Sequence, residues 1–364
     1  MVVCSRNGFA VAFLAGFLAM TALSDQQALA DDGREENPRE LGGIEWVRGF
    51  DRGIDRAESL DRPLLVLFQE VPGCHTCVTY GDKVLSHPLI LDAAEQLFVP
   101  VAVFNNITGD DERVLNSFKE PSWNNPVVRI IDAKRKELAP RLADDYTVGG
   151  LAQAMMKALK QAGKSAPQYL ELLTTEKTRA DSLERATFAM HCFWEGEAVL
   201  GKLPGVVSTE PGFLDRREVV EVSFDPSQLS YEALLKLAER QKCATRVYTR
   251  NDSQQATADR MVGDLAIRTD DEIRPDKEPK YYLSQSELRY VPMTSSQASK
   301  VNAVLGGKGN PAIYLAHNQQ ELWTRIKQNP DAGWPVALGQ DDLAAAWREA
   351  EVVAVRIRER VTGE

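Results

Sequence analysis

Pro63-Leu64-Leu65-Val66-Leu67-Phe68-Gln69-Glu70-Val71-Pro72-Gly73-Cys74-His75-Thr76-Cys77 is the stretch on which the fold turns. Residues 63–68 are continuously apolar, the length and pattern of a strand buried on both faces of a mixed or parallel sheet. The loop from Glu70 follows, and a helix is predicted from Cys74 or His75 to residue 85. The two cysteines therefore stand where a strand hands over to a helix. Free N–H groups and the dipole at a helix N-terminus favour a thiolate, and two cysteines three apart close a disulfide without backbone rearrangement. His75 adds a positive neighbour when protonated. A redox-active pair, a static disulfide and half of a zinc site all fit the spacing. No second Cys-x-x-Cys or spaced His pair completes a zinc site, and neither a metal nor another cofactor is expected.

Working outward, Ile44, Val47, Phe50 and Ile54 have helical spacing over 44–59. Residues 98–104 and 127–131 read as further buried strands. The charged turn 132–136 leads to a short strand at Glu137-Leu138, and a helix over 148–161 closes an α/β unit. A second α/β unit reads strand 186–190, helix 193–202, a loop bearing Pro204-Gly205 and Pro211-Gly212, strand 218–224 and helix 231–241. Beyond about residue 257 the pattern weakens, with helices at 295–305 and 341–360. The expected organisation is a leader at 1–30, a disordered tail at 31–42, a first domain at 43–165, a linker at 166–183, a second domain at 184–260 and a partly helical C-terminal extension at 261–364.

The chain has 364 residues, 43% of them hydrophobic, enough for two ordinary cores. Its net charge of −10 is spread without blocks, which argues against a nucleic-acid partner and against an anionic membrane surface. Arg6, the apolar run Phe9 to Leu23 and the small residues around Ala28-Leu29-Ala30 read as an export signal cleaved after Ala30. The alternative is an uncleaved anchor. A periplasmic or secreted mature chain, off the membrane after cleavage, keeps Cys74, Cys77, Cys192 and Cys243 in a compartment that permits disulfides.

Residues 43–163 resemble a thioredoxin-like domain of the thioredoxin-7 type, through Trp46, the strand, the cysteine pair and Asn125-Pro126-Val127-Val128. The resemblance implies that Pro126 is the fold's cis proline, packed beside the pair and leaving a backbone edge for a substrate strand. Val71-Pro72-Gly73-Cys74 also resembles a bacterial family with Val-Pro-Gly before a selenocysteine or cysteine. That implies Cys74 as the attacking residue and Cys77 as the resolving one.

Cys192-Phe193-Trp194 again puts a cysteine between a strand and a helix. A lone cysteine is ordinarily a packing residue. Here Phe193 and Trp194 offer apolar walls for a methyl group. Glu218, beside Val219, Val220 and Val222, is an acid among hydrophobes, where desolvation favours the protonated form. Residues 186–241 are similar to the peptide-methionine (S)-sulfoxide reductase A family. The matches are Cys192-Phe193-Trp194 with Glu197, Leu203-Pro204-Gly205-Val206, Gly212, Glu218-Val219-Val220, Phe224-Asp225-Pro226 and Ser230-Tyr231-Glu232. The resemblance implies an α+β domain with a ferredoxin-like core, Cys192 as nucleophile, Phe193 and Trp194 around the methyl group, Phe213 in the substrate site and Glu218 as proton donor. The family's two glycines before the cysteine are Met190 and His191 here. Its tyrosine after the glycine is Phe213, and no tyrosine follows closely on Asn251-Asp252. Tyr281, Tyr282 and Tyr290 are the candidates to replace those hydroxyls.

Methionine sulfoxide in peptides or proteins is then the expected substrate. The Cys74/Cys77 pair is the built-in reductant, Cys243 is either a resolving thiol or a buried helix-end cysteine, and an external thiol or thioredoxin-type donor supplies electrons. The alternatives are a thiol–disulfide oxidoreductase whose second domain only binds client protein, and a non-enzymatic binding module.

Overall fold

Every position of the opening strand is buried, as its apolar run requires. The computed structural model describes residues 37–362; the leader expected at 1–30 and residues 31–36 of the tail lie outside them. The strands of the first sheet are β1 (Val47–Arg48), β2 (Leu64–Gln69), β3 (Val99–Phe104) and β4 (Val127–Ile131), in the order β1-β3-β2-β4. β3 is parallel to both β1 and β2, and β4 is antiparallel to β2. Around it lie helices α1 (Phe50–Leu60), α2 (His75–Tyr80), α3 (Pro88–Leu97), α4 (Asp110–Ser117), α5 (Val148–Gln161) and α6 (Gln168–Thr178). Full burial of each large side chain of β2 contributes about 2 kcal/mol, so the loop carrying the cysteines leaves a rigid base.

Several expectations are corrected. The helix expected over 44–59 starts only at Phe50, because Val47 and Arg48 pair with β3 and Gly49 turns the chain at φ +98°. The helix after the cysteines stops at Tyr80 and continues to Leu85 as a wider π-type turn. Glu137 makes only an isolated bridge to Ile131. The linker expected at 166–183 is largely α6, whose Tyr169, Leu170 and Leu173 are buried in the first core, with the Tyr169 hydroxyl donating to Asp92 at 2.9 Å. The described end of the tail expected at 31–42 is ordered too: Arg39–Leu41 forms a 3₁₀ turn with Leu41 buried.

The second sheet contains β5 (Glu184–Ala189), β6 (Val206–Leu214), β7 (Arg217–Phe224), β8 (Arg246–Thr249), β9 (Ala266–Arg268) and β10 (Arg274–Pro275), in the order β10-β6-β7-β5-β8-β9. All neighbours are antiparallel except the parallel pair β8 and β9. Helices α7 (Phe193–Gly201), α8 (Tyr231–Arg240) and α9 (Asp252–Val262) complete this layer. The loop expected around Pro211-Gly212 is instead strand β6. It turns into β7 through Asp215 and Arg216 at φ +49° and +60°, the twist that a two-residue hairpin favours. The sheet also runs past the boundary expected at 260, into the extension.

The C-terminal part is helical: α10 (Tyr281–Ser284), α11 (Ser295–Gly306), α12 (His317–Gln328) and α13 (Leu343–Thr362). It has its own core around Leu283, Val301, Leu322, Ile326 and Trp334. Polar contacts tie it to the first domain. The Glu176 carboxylate accepts from the backbone N–H and hydroxyl of Ser296, and Asp92 accepts from the N–H of Asn318. The result is a mixed α/β protein, with thirteen α-helices and two mixed sheets among the described residues. Residues from Pro38 onward form one compact unit. No described helix is long and apolar enough to cross a membrane.

Candidate functional site

Two thiol sites stand at two strand-to-helix turns. In the first, Cys74 caps α2 with an extended backbone and is exposed, while Cys77 inside the first turn is buried. Both are free thiols with sulfurs 3.2 Å apart. The loop that brings them together is held from three sides. Asn106 exchanges hydrogen bonds with the backbone of Val71, ahead of the cis Val71–Pro72 bond. Glu40 accepts the Gly73 N–H at 2.6 Å, and the buried Gln69 amide donates to the carbonyls of Glu40 and Cys77. Gly73 itself has no room for a side chain: a Cβ would lie 2.3 Å from the Glu70 carbonyl oxygen and 2.7 Å from the Cys77 Cβ.

The two thiols are electrostatically unequal. Burial works to raise Cys74, but hydrogen bonds from the Cys77 backbone and thiol and from Thr76 outweigh it and hold Cys74 below its ordinary value. Burial first, and then the hydrogen bond to Cys74, push Cys77 up to about 12. A nucleophile exposed and easily ionised, beside a partner kept protonated, is the division of labour a cycling pair needs. Pro126 follows a cis bond from Asn125, whose side-chain oxygen accepts from the Cys77 thiol. Glu70, Cys74 and Cys77 also bring three metal-ligating atoms within 4.8 Å of one another.

In the second site Cys192 caps α7, half-buried, and lines a cleft of about 470 Å³. Phe193, Trp194, Phe213 and Glu218 line this cleft with it. Phe193 meets Phe213 edge to face at 5.4 Å. Glu218 is half-buried rather than sealed among its valine neighbours, and its carboxylate accepts the Phe193 N–H at 3.0 Å. That bond fixes the acid at the head of the same helix turn as the sulfur. Met190, where the resemblance expects glycine, packs against Gly196. Cys243 is buried in the second core, its thiol raised first by burial and then by Glu195.

The extension supplies the remaining wall, which the sequence did not reveal. Arg274, Asp276, Lys277 and Glu278 line the cleft, within a charged stretch that shows no periodicity. Tyr281 stacks on Trp194 at 4.2 Å and 14°. The Tyr282 phenol is raised by burial, then by the charges of Glu195 and Cys192. Tyr290 instead pairs with Arg289 against the C-terminal core. The extension is anchored by Lys280. Its ammonium lies 2.8 Å from Glu197 Oε1 and its N–H donates to Oε2 at 3.1 Å, with both residues buried. Thr209 donates to the same carboxylate at 3.0 Å.

The residues around the cysteine pair come from 40 to 146, those around Cys192 from 191 to 282, and none is common to both.

Comparison with known proteins finds a family model and curated relatives. A family model described as thioredoxin-like matches residues 45–133. Peptide methionine sulfoxide reductase MsrA of Methanoculleus marisnigri is 41% identical over 71 residues, covering 15% of this chain and 43% of the relative. The MsrA of Geobacter sulfurreducens is 38% identical over 73 residues, covering 15% and 45%. The chain thus spans less than half the length of these curated relatives. A solved structure, DsbH oxidoreductase, overlaps 37% of this chain and 98% of its own at 17% identity. Its TM-score of 0.29 is too low for the likeness to bear on fold or function. The thioredoxin-like match thus spans the first sheet and the cysteine pair, residues 45–133.

Proposed function

We propose that this protein is an exported, thiol-dependent oxidoreductase that reduces methionine sulfoxide in peptides or proteins at Cys192, with Cys74 and Cys77 as its reductant. One observation carries the reading: Cys192 stands at the head of α7 in an aromatic-walled cleft, with the Glu218 carboxyl pinned to the next N–H of the same turn. The thiolate attacks the sulfoxide sulfur and Glu218 delivers a proton to the oxygen. The sulfur–oxygen bond of the substrate is lost, methionine leaves, and Cys192 holds the oxygen as a sulfenic acid. A second thiol condenses with it, releasing water and forming a disulfide. Cys74 attacks that disulfide, Cys77 displaces the mixed disulfide, and the oxidised pair passes the deficit to an external thiol or thioredoxin-type donor. Phe193, Trp194 and Phe213 hold the methyl end of the substrate.

The test is dithiothreitol-supported turnover of a methionine sulfoxide peptide. Cys192→Ser should abolish it. Cys77→Ser should spare one stoichiometric reduction while blocking turnover with a thioredoxin-type donor. Equal turnover by wild type and Cys192→Ser would refute the assignment.

A second reading keeps the thiol–disulfide chemistry and gives the reductase-like region only a client-binding role. The inequality of Cys74 and Cys77 favours it, since that pair is equipped to act on protein disulfides by itself. Insulin reduction lost in Cys74→Ser, with no sulfoxide turnover in wild type, distinguishes it.

A further inference from the structure

Strand β10 belongs to none of the motifs that carry the reductase resemblance, yet it forms part of the Cys192 cleft. It adds to the edge of β6 with Arg274 opposite Phe213 and Pro275 opposite Gly212. Gly212 permits this approach, because a Cβ there would lie 2.6 Å from the Arg274 carbonyl oxygen. Downstream, the buried Lys280–Glu197 pair fixes the segment to the head of the domain. The Arg274 guanidinium carbon sits 4.6 Å from the centre of the Phe213 ring, and the side chain is exposed in the cleft that holds Cys192 and Glu218. Among the described residues this guanidinium makes no hydrogen bond and no ion pair, although Asp276 and Glu278 line the same cleft. Its five N–H donors are therefore open to a ligand.

We propose that Arg274 binds the sulfoxide oxygen in the Cys192 cleft, doing with guanidinium donors what a hydroxyl at position 213 would otherwise do. The inference rests on the reading of Cys192 as the nucleophile. As the oxygen passes from the substrate sulfur to the Cys192 sulfur, the bond to methionine breaks, the bond to Cys192 forms, and the proton comes from Glu218. Arg274 keeps its own protons and shares them with the oxygen as negative charge builds there. Its ring contact with Phe213 holds the donors beside the ring on which that hydroxyl would stand.

The experiment measures kcat and KM for N-acetylmethionine (S)-sulfoxide with dithiothreitol. It compares wild type, Arg274→Ala, Arg274→Lys and the double variant Arg274→Ala/Phe213→Tyr, with insulin reduction by Cys74/Cys77 reporting an intact chain. Arg274→Ala should lose roughly 100-fold in kcat, the scale for one donor to a developing oxyanion. Arg274→Lys should lose less, and the tyrosine of the double variant should restore at least a tenth of the wild-type rate. Turnover in Arg274→Ala equal to wild type overturns the inference and leaves the Cys192 reading standing. A loss that neither lysine nor tyrosine relieves, with insulin reduction intact, also overturns it. Absence of turnover in wild type brings down both.

Discussion

Replacing Lys280 by methionine should destabilise the protein far more than a surface lysine substitution would. Glu197 has no exposed side-chain surface and Lys280 has 9%. In wild type the carboxylate is met by the ammonium at 2.8 Å, the Lys280 N–H at 3.1 Å and the Thr209 hydroxyl at 3.0 Å. Lys280→Met leaves it with two neutral donors and no counter-charge in a dry site. Breaking a buried pair from one side costs about 3–5 kcal/mol. With a urea m-value of about 3 kcal/mol/M for a large domain, the midpoint should fall by roughly 1–1.7 M. Glu197→Gln/Lys280→Met removes both charges and should recover most of the loss, since replacing a whole buried pair is often near neutral. Urea unfolding followed by tryptophan fluorescence measures all three proteins. A Lys280→Met midpoint within about 0.3 M of wild type would refute the reasoning, because the pair would then have to be hydrated and of little consequence.

Other consequences concern the thiols and one histidine. In the reduced protein, iodoacetamide should label Cys74 along a pH profile centred below the ordinary thiol value. With its pKa at about 12, Cys77 is thiolate in only about one molecule in 10⁵ at pH 7 and should stay unlabelled; equal labelling by peptide mass would contradict this. Cys77 binds its proton more tightly folded than unfolded, so the reduced protein should lose stability as pH climbs from 9 toward 12. Cys77→Ala should lose less over that window in alkaline urea titrations. His87 is pushed down to about 4, by burial and then by Lys177, and its buried Nδ1 has no hydrogen-bond partner among the described residues. The unfolded chain therefore takes up this proton first. Stability should fall by roughly 3 kcal/mol as pH drops from 6.5 to 4, and His87→Gln should flatten that slope. Gly73→Ala must move the loop at Glu70 or the Cys77 side chain; a displacement near 1 Å should cut insulin reduction by roughly 100-fold, with no loss expected in Cys192 labelling.

The elements whose pattern was legible in the sequence are those with one dominant signal. The apolar run of β2, the helix over 148–161 and the strand-to-helix turns at Cys74 and Cys192 lie where their periodicity puts them. The failures share a cause, contacts between segments distant in sequence. Pro211 and Gly212 read as chain breakers, yet in β6 the Gly212 backbone makes room for a neighbouring strand and the Pro211 carbonyl accepts the Asp276 N–H. The stretch taken as a linker carries only three buried apolar residues, sufficient once α5 and Asp92 are beside them. Arg274 could not be recognised, because what distinguishes it is the ring of Phe213, 61 positions earlier. Glu218 was expected to be desolvated among valines; Val219, Val220 and Val222 are buried, while Glu218, near the start of β7, is half-buried and lines the cleft.

The separateness of the two thiol sites bears on how electrons move. A buried Cys243, its thiol raised by burial and by Glu195, is a poor partner for anything arriving from solvent, but it belongs to the same core as the helix that Cys192 begins. Cys74 has the opposite character, exposed and easily ionised, at the edge of the other domain. A sulfur that must reach a cleft with which it shares no neighbour needs either a moving intermediary or an encounter between molecules. Low ionisation energy and exposure serve both, since the attacking thiolate meets its target in water rather than in a preformed contact. The polar ties between the first domain and the C-terminal part, through Glu176 and Asp92, oppose wide separation of those two regions. Effective concentration from tethering helps only when linked sites can meet. If Cys192 is oxidised as proposed, Cys74, exposed and lowered by its hydrogen bonds, is the thiol suited to meet its partner in solution.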